Sequence, residues 1–183
     1  AAGDIATTHL LEQGCRRIAH IRGSQVSTAV GRLEGYRRAL ARRELTPLAG
    51  HIVPIGTFAD ERGEIGGHEA ARTLLATEPR PDGIFCYNDN SALGAMRAVL
   101  EAGLKIPEDI ALVGCGNVLY SDFLRVPLST IDQDSLSIGT HSAELALSLI
   151  EAKEPVHPRS ILVTPRLVAR ASSLRMPVAA PGL

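Results

Sequence analysis

The sequence predicts an α/β fold, an open and mostly parallel sheet with helices on both faces. Two observations support this prediction. Short apolar runs alternate with longer amphipathic segments along most of the 183 residues, and this alternation is typical of a parallel sheet that helices cover on both sides. The composition, with 45% apolar and 21% charged residues, is that of an ordinary globular protein.

The opening segment, 4–13, reads as a helix that ends at Gly14. The clearest helix is 91–103, where apolar residues recur at helical spacing until Gly103 ends the segment. The remaining predicted strands of this region are 17–21, 52–55, 83–87 and 110–114, and the remaining predicted helices are 30–43 and 61–77.

The alternation stops after Pro127. Segment 129–131 is short and extended, 136–152 is a helix with one apolar side, and 161–168 is strand-like. We expect 176–183, which has no periodicity, to be a disordered tail.

Charge and chain start limit the function. Nineteen basic against twenty acidic residues give a net charge of −1, whereas a free-standing nucleic-acid binder normally has a basic excess. The longest apolar runs are far too short for a transmembrane helix. The first methionine is Met96, so we expect further residues to precede Ala1.

Signatures of catalysis and of cofactor binding are weak. Gly114-Cys115-Gly116 lacks the third glycine of a dinucleotide loop, and no P-loop, Gly-x-Ser-x-Gly or zinc-protease motif is present. Asp132 and Asp134 fit a solvated strand end better than a paired-carboxylate site. We therefore expect no enzyme activity, no cofactor and no metal. The cysteines, Cys15, Cys86 and Cys115, fit buried free thiols in a reducing cytoplasm.

A ligand site is expected beyond the carboxyl ends of the strands, where loops and helix N-termini converge. The four ends are 23–28, with Arg32 one turn into the next helix, 56–58, 88–90 and 114–117. Together they offer a guanidinium, an aromatic ring, carboxamides, a carboxylate and hydroxyls. This set suits a small polyhydroxylated or heterocyclic ligand.

Most of these residues also have structural interpretations. Asn88, Asp89 and Asn90 could cap the helix that follows them, and Ser27 or Thr28 could cap theirs. For Asp89 capping is the favoured interpretation.

Two further candidates have alternatives of their own. Arg32 could be one solvated charge among the arginines of its helix, although it lies a turn closer to the strand end. Phe58 fits ligand contact and packing at the edge of the core equally well.

Several segments resemble the lactose-repressor (LacI/GalR) family of transcription regulators. The segment HLLEQGCRRIAHIRG at 9–23 is similar to the family's HLIxxGHRRIAxIxG, and together the matches cover roughly residues 1–175. The other matching segments are RLEGYRRAL at 32–40, YND at 87–89 with ALGAM at 92–96, IPEDIALVG at 106–114 and PLSTI at 127–131.

The resemblance implies a sensor with the periplasmic-binding-protein fold, in which two lobes close on a small-molecule effector such as a sugar or a nucleoside. By position it implies that Thr28, Arg32, Phe58 and Asn88 line the cleft. The family usually has an aspartate that binds effector hydroxyls where this chain has Gly116. Asn117, the next residue, is the candidate substitute.

The resemblance also implies a division of the chain. Residues 1–127 match the C-terminal lobe, 128–161 the crossover segment and helix of the N-terminal lobe, and 162–175 a strand that returns. The helix at 136–152 would then lack its own sheet, so we expect it to pack on a neighbouring molecule or to redock on this lobe.

The leading hypothesis is the effector-binding, dimer-forming part of a LacI-type regulator, usually a repressor, which binds operator DNA through a headpiece outside this chain. A transporter's solute-binding protein is the alternative, and a Rossmann-like enzyme is a third. The resemblance places the homodimer contact near 59–64, 90–97 and 120–124, with Leu119, Phe123 and Leu124 as apolar candidates.

Overall fold

The computed structural model describes residues 1–55, 63–152, 157 and 159–175. It contains a six-stranded sheet with the strand order β2-β1-β3-β4-β5-β6. Neighbouring strands are parallel except for β6, which is antiparallel to β5. The predicted α/β class with a mostly parallel sheet is confirmed. The strands are β1 Ile18–Arg22, β2 Ile52–Pro54, β3 Gly83–Cys86, β4 Ala111–Cys115, β5 Ser129–Asp132 and β6 Arg166–Val168.

Helices cover both faces of the sheet. The first two pack on one face and the next two on the other, whereas the last helix has no buried residue. A short 3-10 turn, Leu119–Asp122, follows β4. The helices are α1 Ala2–Glu12, α2 Ser27–Ala41, α3 Gly63–Leu75, α4 Asp89–Glu101 and α5 Ser135–Glu151.

The side chains of β1 show why the sheet needs two helical layers. Ala19 and Ile21 belong to the core shared with α3 and α4, while Ile18 belongs to the core shared with α1 and α2. Successive side chains of a strand point to opposite faces, so a strand that is buried on both faces reads as a continuous apolar run. His20 points to the second face, where its ring stacks on Phe85 and Tyr36.

Glycines allow α3 and α4 to pack closely. A Cβ on Gly94 would overlap the main-chain oxygen of Glu64, and a Cβ on Gly67 would overlap that of Ser91. The two helices therefore touch through their backbones, and this contact holds the N-terminus of α4 against the carboxyl end of β3.

The C-terminal part differs in two places from the sequence prediction. Only Arg166–Val168 of the predicted strand 161–168 forms a strand. Helix α5 does not redock on this lobe, because none of its residues is buried. The segment after β6 is fixed by buried hydroxyls: Ser173 Oγ lies 2.6 Å from His9 Nε2, and Ser172 Oγ donates to the carbonyl of Leu112 at 2.7 Å.

The predicted thiols behave as expected. All three cysteines are free and buried, and burial raises the pKa of Cys15 to about 12 and that of Cys115 to about 11. They are therefore protonated, inert core residues. The tail at 176–183 lies outside the described residues.

Candidate ligand-binding site

Arg32 lies at the carboxyl edge of the sheet and is buried, with 9% of its surface exposed. Its Nη1 donates to the carbonyl oxygen of Tyr87 at 2.8 Å, and its Nη2 donates to Oε1 of Gln133 at 3.1 Å. The guanidinium carbon lies 4.7 Å from the centroid of the Tyr87 ring. These contacts fix the plane of the guanidinium between the ends of β3 and β5.

A pocket of about 250 Å³ opens above this guanidinium. Its polar groups come from Thr28, Arg32 and Gln133. Since Tyr87 follows β3 and Gln133 follows β5, the pocket lies where parallel sheets normally bind ligands. Its apolar walls include Gly31, Ile138, Val163 and Pro165.

The structure brings two predicted residues, Thr28 and Arg32, to this pocket. They lie one turn apart on α2, so both point to the same side. Thr28 does not cap α2, and neither does Ser27: the N-cap is Val26, and both hydroxyl residues lie within the first turn.

Gln133 was missed by the sequence reasoning, which considered only the two aspartates beside it. Its position at the end of β5 was the available signal, because every other strand end had been searched for polar side chains. A side chain with one donor group and one acceptor group can orient Arg32 and contact a ligand at the same time.

Asn88 has a structural role at the start of α4. Its Oδ1 accepts the backbone N–H of Ser91 at 2.8 Å, while Ser91 Oγ accepts the backbone N–H of Asn88 at 3.0 Å. This reciprocal cap satisfies two helix N–H groups. Asn88 follows Tyr87 directly but does not line the pocket beside Arg32.

Asp89 does not cap the helix, contrary to the favoured interpretation. It lies in the first turn of α4, fully buried, with Oδ1 accepting from Thr130 Oγ1 at 2.6 Å and Oδ2 accepting from the backbone N–H of Val118 at 2.9 Å. The carboxylate joins α4 to β5 and to the loop after β4, so it fixes the carboxyl edge of the sheet.

Asn117 is held away from the pocket. Its Oδ1 accepts from Arg170 Nη2 at 3.1 Å, and its backbone N–H donates to Thr130 at 3.2 Å. Its φ of 52° and that of 138° at Gly116 turn the chain sharply after β4. The second of these conformations is one that residues with a Cβ rarely adopt.

The paired aspartates beside Gln133 serve the backbone. Asp132 accepts the backbone N–H of Asp134 at 2.8 Å and pairs with Arg166 at 3.0 Å, and these contacts lower the pKa of Asp132. Asp134 caps α5 by accepting the N–H of Ser137 at 3.2 Å.

One predicted site residue, Phe58, lies outside the described residues. Within the described ranges, no group of three or more His, Cys, Asp or Glu side chains could hold a metal ion. In the same part of the chain, no helix combines the length and apolar character that crossing a membrane requires.

Comparison with known proteins identifies the fold family. The model of the periplasmic binding protein-like domain matches residues 7–173. The chain belongs to this family. The purine repressor PurR of Haemophilus influenzae is 37% identical over 173 residues, which are 93% of this chain and 50% of that protein. The ribose operon repressor of Halalkalibacterium halodurans is 35% identical over 174 residues, covering 94% and 50% of the two chains.

Solved structures place this periplasmic-binding-protein-like domain among LacI-type regulators. A LacI-family regulator from Sanguibacter keddieii superposes with a TM-score of 0.84 at 30% identity, covering 93% of this chain and 63% of that one. The cellobiose complex of the regulator CelR gives a TM-score of 0.82 at 31% identity, covering 93% and 51%. The chain spans about half the length of the curated relatives it matches.

The names of these relatives bear on the three functional hypotheses. PurR and the ribose operon repressor are transcriptional repressors, not transporter components or enzymes. The resemblance to the LacI family is thereby confirmed, and the relatives favour a regulator over a solute-binding protein or a Rossmann-like enzyme.

Proposed function

We propose that this chain is the effector-sensing part of a LacI-type transcriptional regulator and that the pocket beside Arg32 receives the effector. The observation that supports this proposal is the buried guanidinium, held by Tyr87 and Gln133 at the base of a pocket on the carboxyl edge of the sheet. A planar donor whose orientation is fixed before binding loses little entropy on contact with a ligand. Thr28 and Gln133 supply further hydrogen bonds, and Phe58 remains a candidate for stacking.

Asn88 and Asn117 have a different part in this proposal. The side-chain oxygen of each is used by the fold, Asn88 in the cap of α4 and Asn117 in the bond to Arg170. We place both at the rim of the effector cleft, where only their amide N–H groups would serve a ligand.

The chain forms one lobe of the sensor, residues 1–127 with the returning strand at 162–175. Residues 128–161 pass to a second lobe, whose sheet covers α5. Support comes from the exposed apolar side chains of that helix, among them Leu136 at 81% and Ile150 at 79% exposure. An apolar stripe of this extent on a helix normally packs against another element.

The sensor acts as a homodimer in the cytoplasm, and a DNA-binding headpiece of the longer protein contacts the operator. The described part of the expected dimer face carries Leu119 and Phe123, which are 92% and 87% exposed beside the start of α4. Large apolar side chains exposed together favour a protein contact. Effector binding would change the spacing of the headpieces by closing the lobes.

The test is a thermal-unfolding screen of the full-length gene product against sugars, nucleosides and purines. The expected result is a concentration-dependent rise in Tm with one class, which Arg32→Ala abolishes because the guanidinium anchors the ligand. Isothermal titration of the best hit then gives the loss of affinity, expected to be at least tenfold.

The matched control is Arg37→Ala, which removes an exposed arginine one and a half turns further along the same helix. This variant should bind like the unmodified protein. Binding that survives Arg32→Ala, or that disappears equally in both variants, would contradict the proposed site.

A further inference from the structure

Arg32 carries a buried positive charge with uncharged neighbours. Among the residues that the structure describes, it is the only buried arginine. Its two acceptors there, the Tyr87 carbonyl and the Gln133 amide, are neutral, and so is the ring of Tyr87. Two of the five N–H donors of the guanidinium are used in these bonds.

The more exposed arginines of the same edge have the opposite arrangement. Arg170 pairs with Asp122 at 2.7 Å, and Arg166 pairs with Asp132 at 3.0 Å although its side chain is 77% exposed. Water screens such exposed charges, so they need a counter-ion least. The buried guanidinium needs one most, because an unpaired charge in a poorly solvated place is costly.

The carboxylates nearest to the pocket are committed elsewhere. Asp89 accepts from Thr130, Asp132 pairs with Arg166, and Asp134 caps α5. Polar groups that do line the pocket, from Thr28 and Gln133, are neutral. No carboxylate among the described lining residues balances the charge of the guanidinium.

We propose that the effector supplies this missing negative charge. Resting on the proposed function, this inference names the ligand class: a small polar molecule with a compact oxyanion, either a carboxylate or a phosphate, that accepts hydrogen bonds from Arg32. The planar fork of a guanidinium matches the paired oxygens of both groups. The apolar walls around Ile138 and Val163 strengthen the attraction by excluding water. The volume of about 250 Å³ fits a ligand of the size of a sugar acid or sugar phosphate.

The test compares neutral and anionic forms of the same ligand on the full-length gene product. The sets are glucose, gluconate and glucose 6-phosphate; ribose and ribose 5-phosphate; and adenosine and adenosine monophosphate. Thermal unfolding ranks each set, and calorimetric titration measures the affinities. The expected result is at least one set in which an anionic member binds at least tenfold more tightly than its neutral counterpart. Comparing gluconate with glucose 6-phosphate tells a carboxylate from a phosphate.

Arg32→Gln, which keeps polar N–H donors but removes the charge, should reduce this preference at least tenfold. Arg37→Gln, an exposed change on the same helix, should leave it unchanged. A neutral member that binds as tightly as its anionic partner, with Arg32 still required, would overturn the anionic class and leave the proposed function intact. Binding that is independent of Arg32, or the failure of every member, would overturn both.

Discussion

Helices α4 and α5 have similar amphipathic patterns but different surroundings. In α4 eight of 13 residues are buried, the reciprocal cap of Asn88 and Ser91 fixes the first turn, and glycines bring the backbone of α3 into contact. In α5, with 17 residues, none is buried, although Asp134 caps its start equally well. An apolar stripe and a cap are thus sufficient to predict a helix, but only a tertiary partner decides whether its apolar side is used.

The same comparison explains where the site lies. The buried start of α4 fixes Asp89 and, through it, the ends of β4 and β5. Arg32 then finds its acceptors at Tyr87 and Gln133, on the same rigid edge. Helix α5 contributes only Ile138 to the pocket. Half of the site is therefore built into this lobe, and the other half depends on what covers α5.

The largest effect is expected from removing the close contact of α3 and α4. Gly94→Ala places a Cβ on the main-chain oxygen of Glu64 and 2.6 Å from the backbone nitrogen of His68, so we expect a loss of at least about 3 kcal/mol of unfolding free energy. Chemical denaturation followed by circular dichroism measures it.

The matched control is Gly139→Ala in α5, where a Cβ meets nothing within 4 Å. Alanine is the better helix former, so this variant should be unchanged or more stable by up to about 1 kcal/mol. Equal losses from both substitutions would refute the contrast between the two helices.

The next effect is a loss of stability in acid that comes from the core of this lobe. Burial lowers the pKa of His20 to about 4 from its ordinary value of 6.5. The unfolded chain takes up a proton as pH falls through 6.5, while the folded chain resists until about pH 4. We therefore expect full stability above pH 6.5 and a loss of roughly 3 kcal/mol between pH 6.5 and 4.

Denaturation at pH 7 and pH 4.5 measures this slope in two variants. His20→Phe keeps a ring in the stack with Phe85 and Tyr36 but cannot take up a proton, so it should flatten the pH dependence. His141→Gln removes an exposed histidine of α5 and should not. An unchanged slope in His20→Phe would contradict the assignment.

The fold was predictable because the strands are buried on both faces. Segments 17–21 and 110–114 read as short apolar runs, and only a parallel sheet between two helical layers explains such runs. The positions of side chains at the strand ends were less predictable. Asn88 belongs to a residue type that serves equally well as a cap or as a ligand contact, and the sequence does not distinguish them. The partners of Arg32 lie 55 and 101 residues away along the chain.

A moderate effect is expected from cavities in α4. Val99 is fully buried in the core between the sheet and α3, so Val99→Ala should cost about 2 kcal/mol through lost burial and the cavity that remains. The same denaturation experiment measures it, and a loss below the error of the method would show that the face of α4 toward the sheet can relax.

The smallest effect in this chain is expected from Leu149→Ala in α5. Leu149 is 60% exposed, and truncating an exposed side chain changes stability by no more than about 0.5 kcal/mol. In the full-length gene product the same substitution should cost about 2 kcal/mol or more, because the second lobe covers the helix there and truncation leaves a cavity. Comparing the loss in the two proteins isolates the partner of α5 from its sequence. A cost that stays small in both would mean that α5 keeps its apolar side exposed and that the second lobe is completed without it.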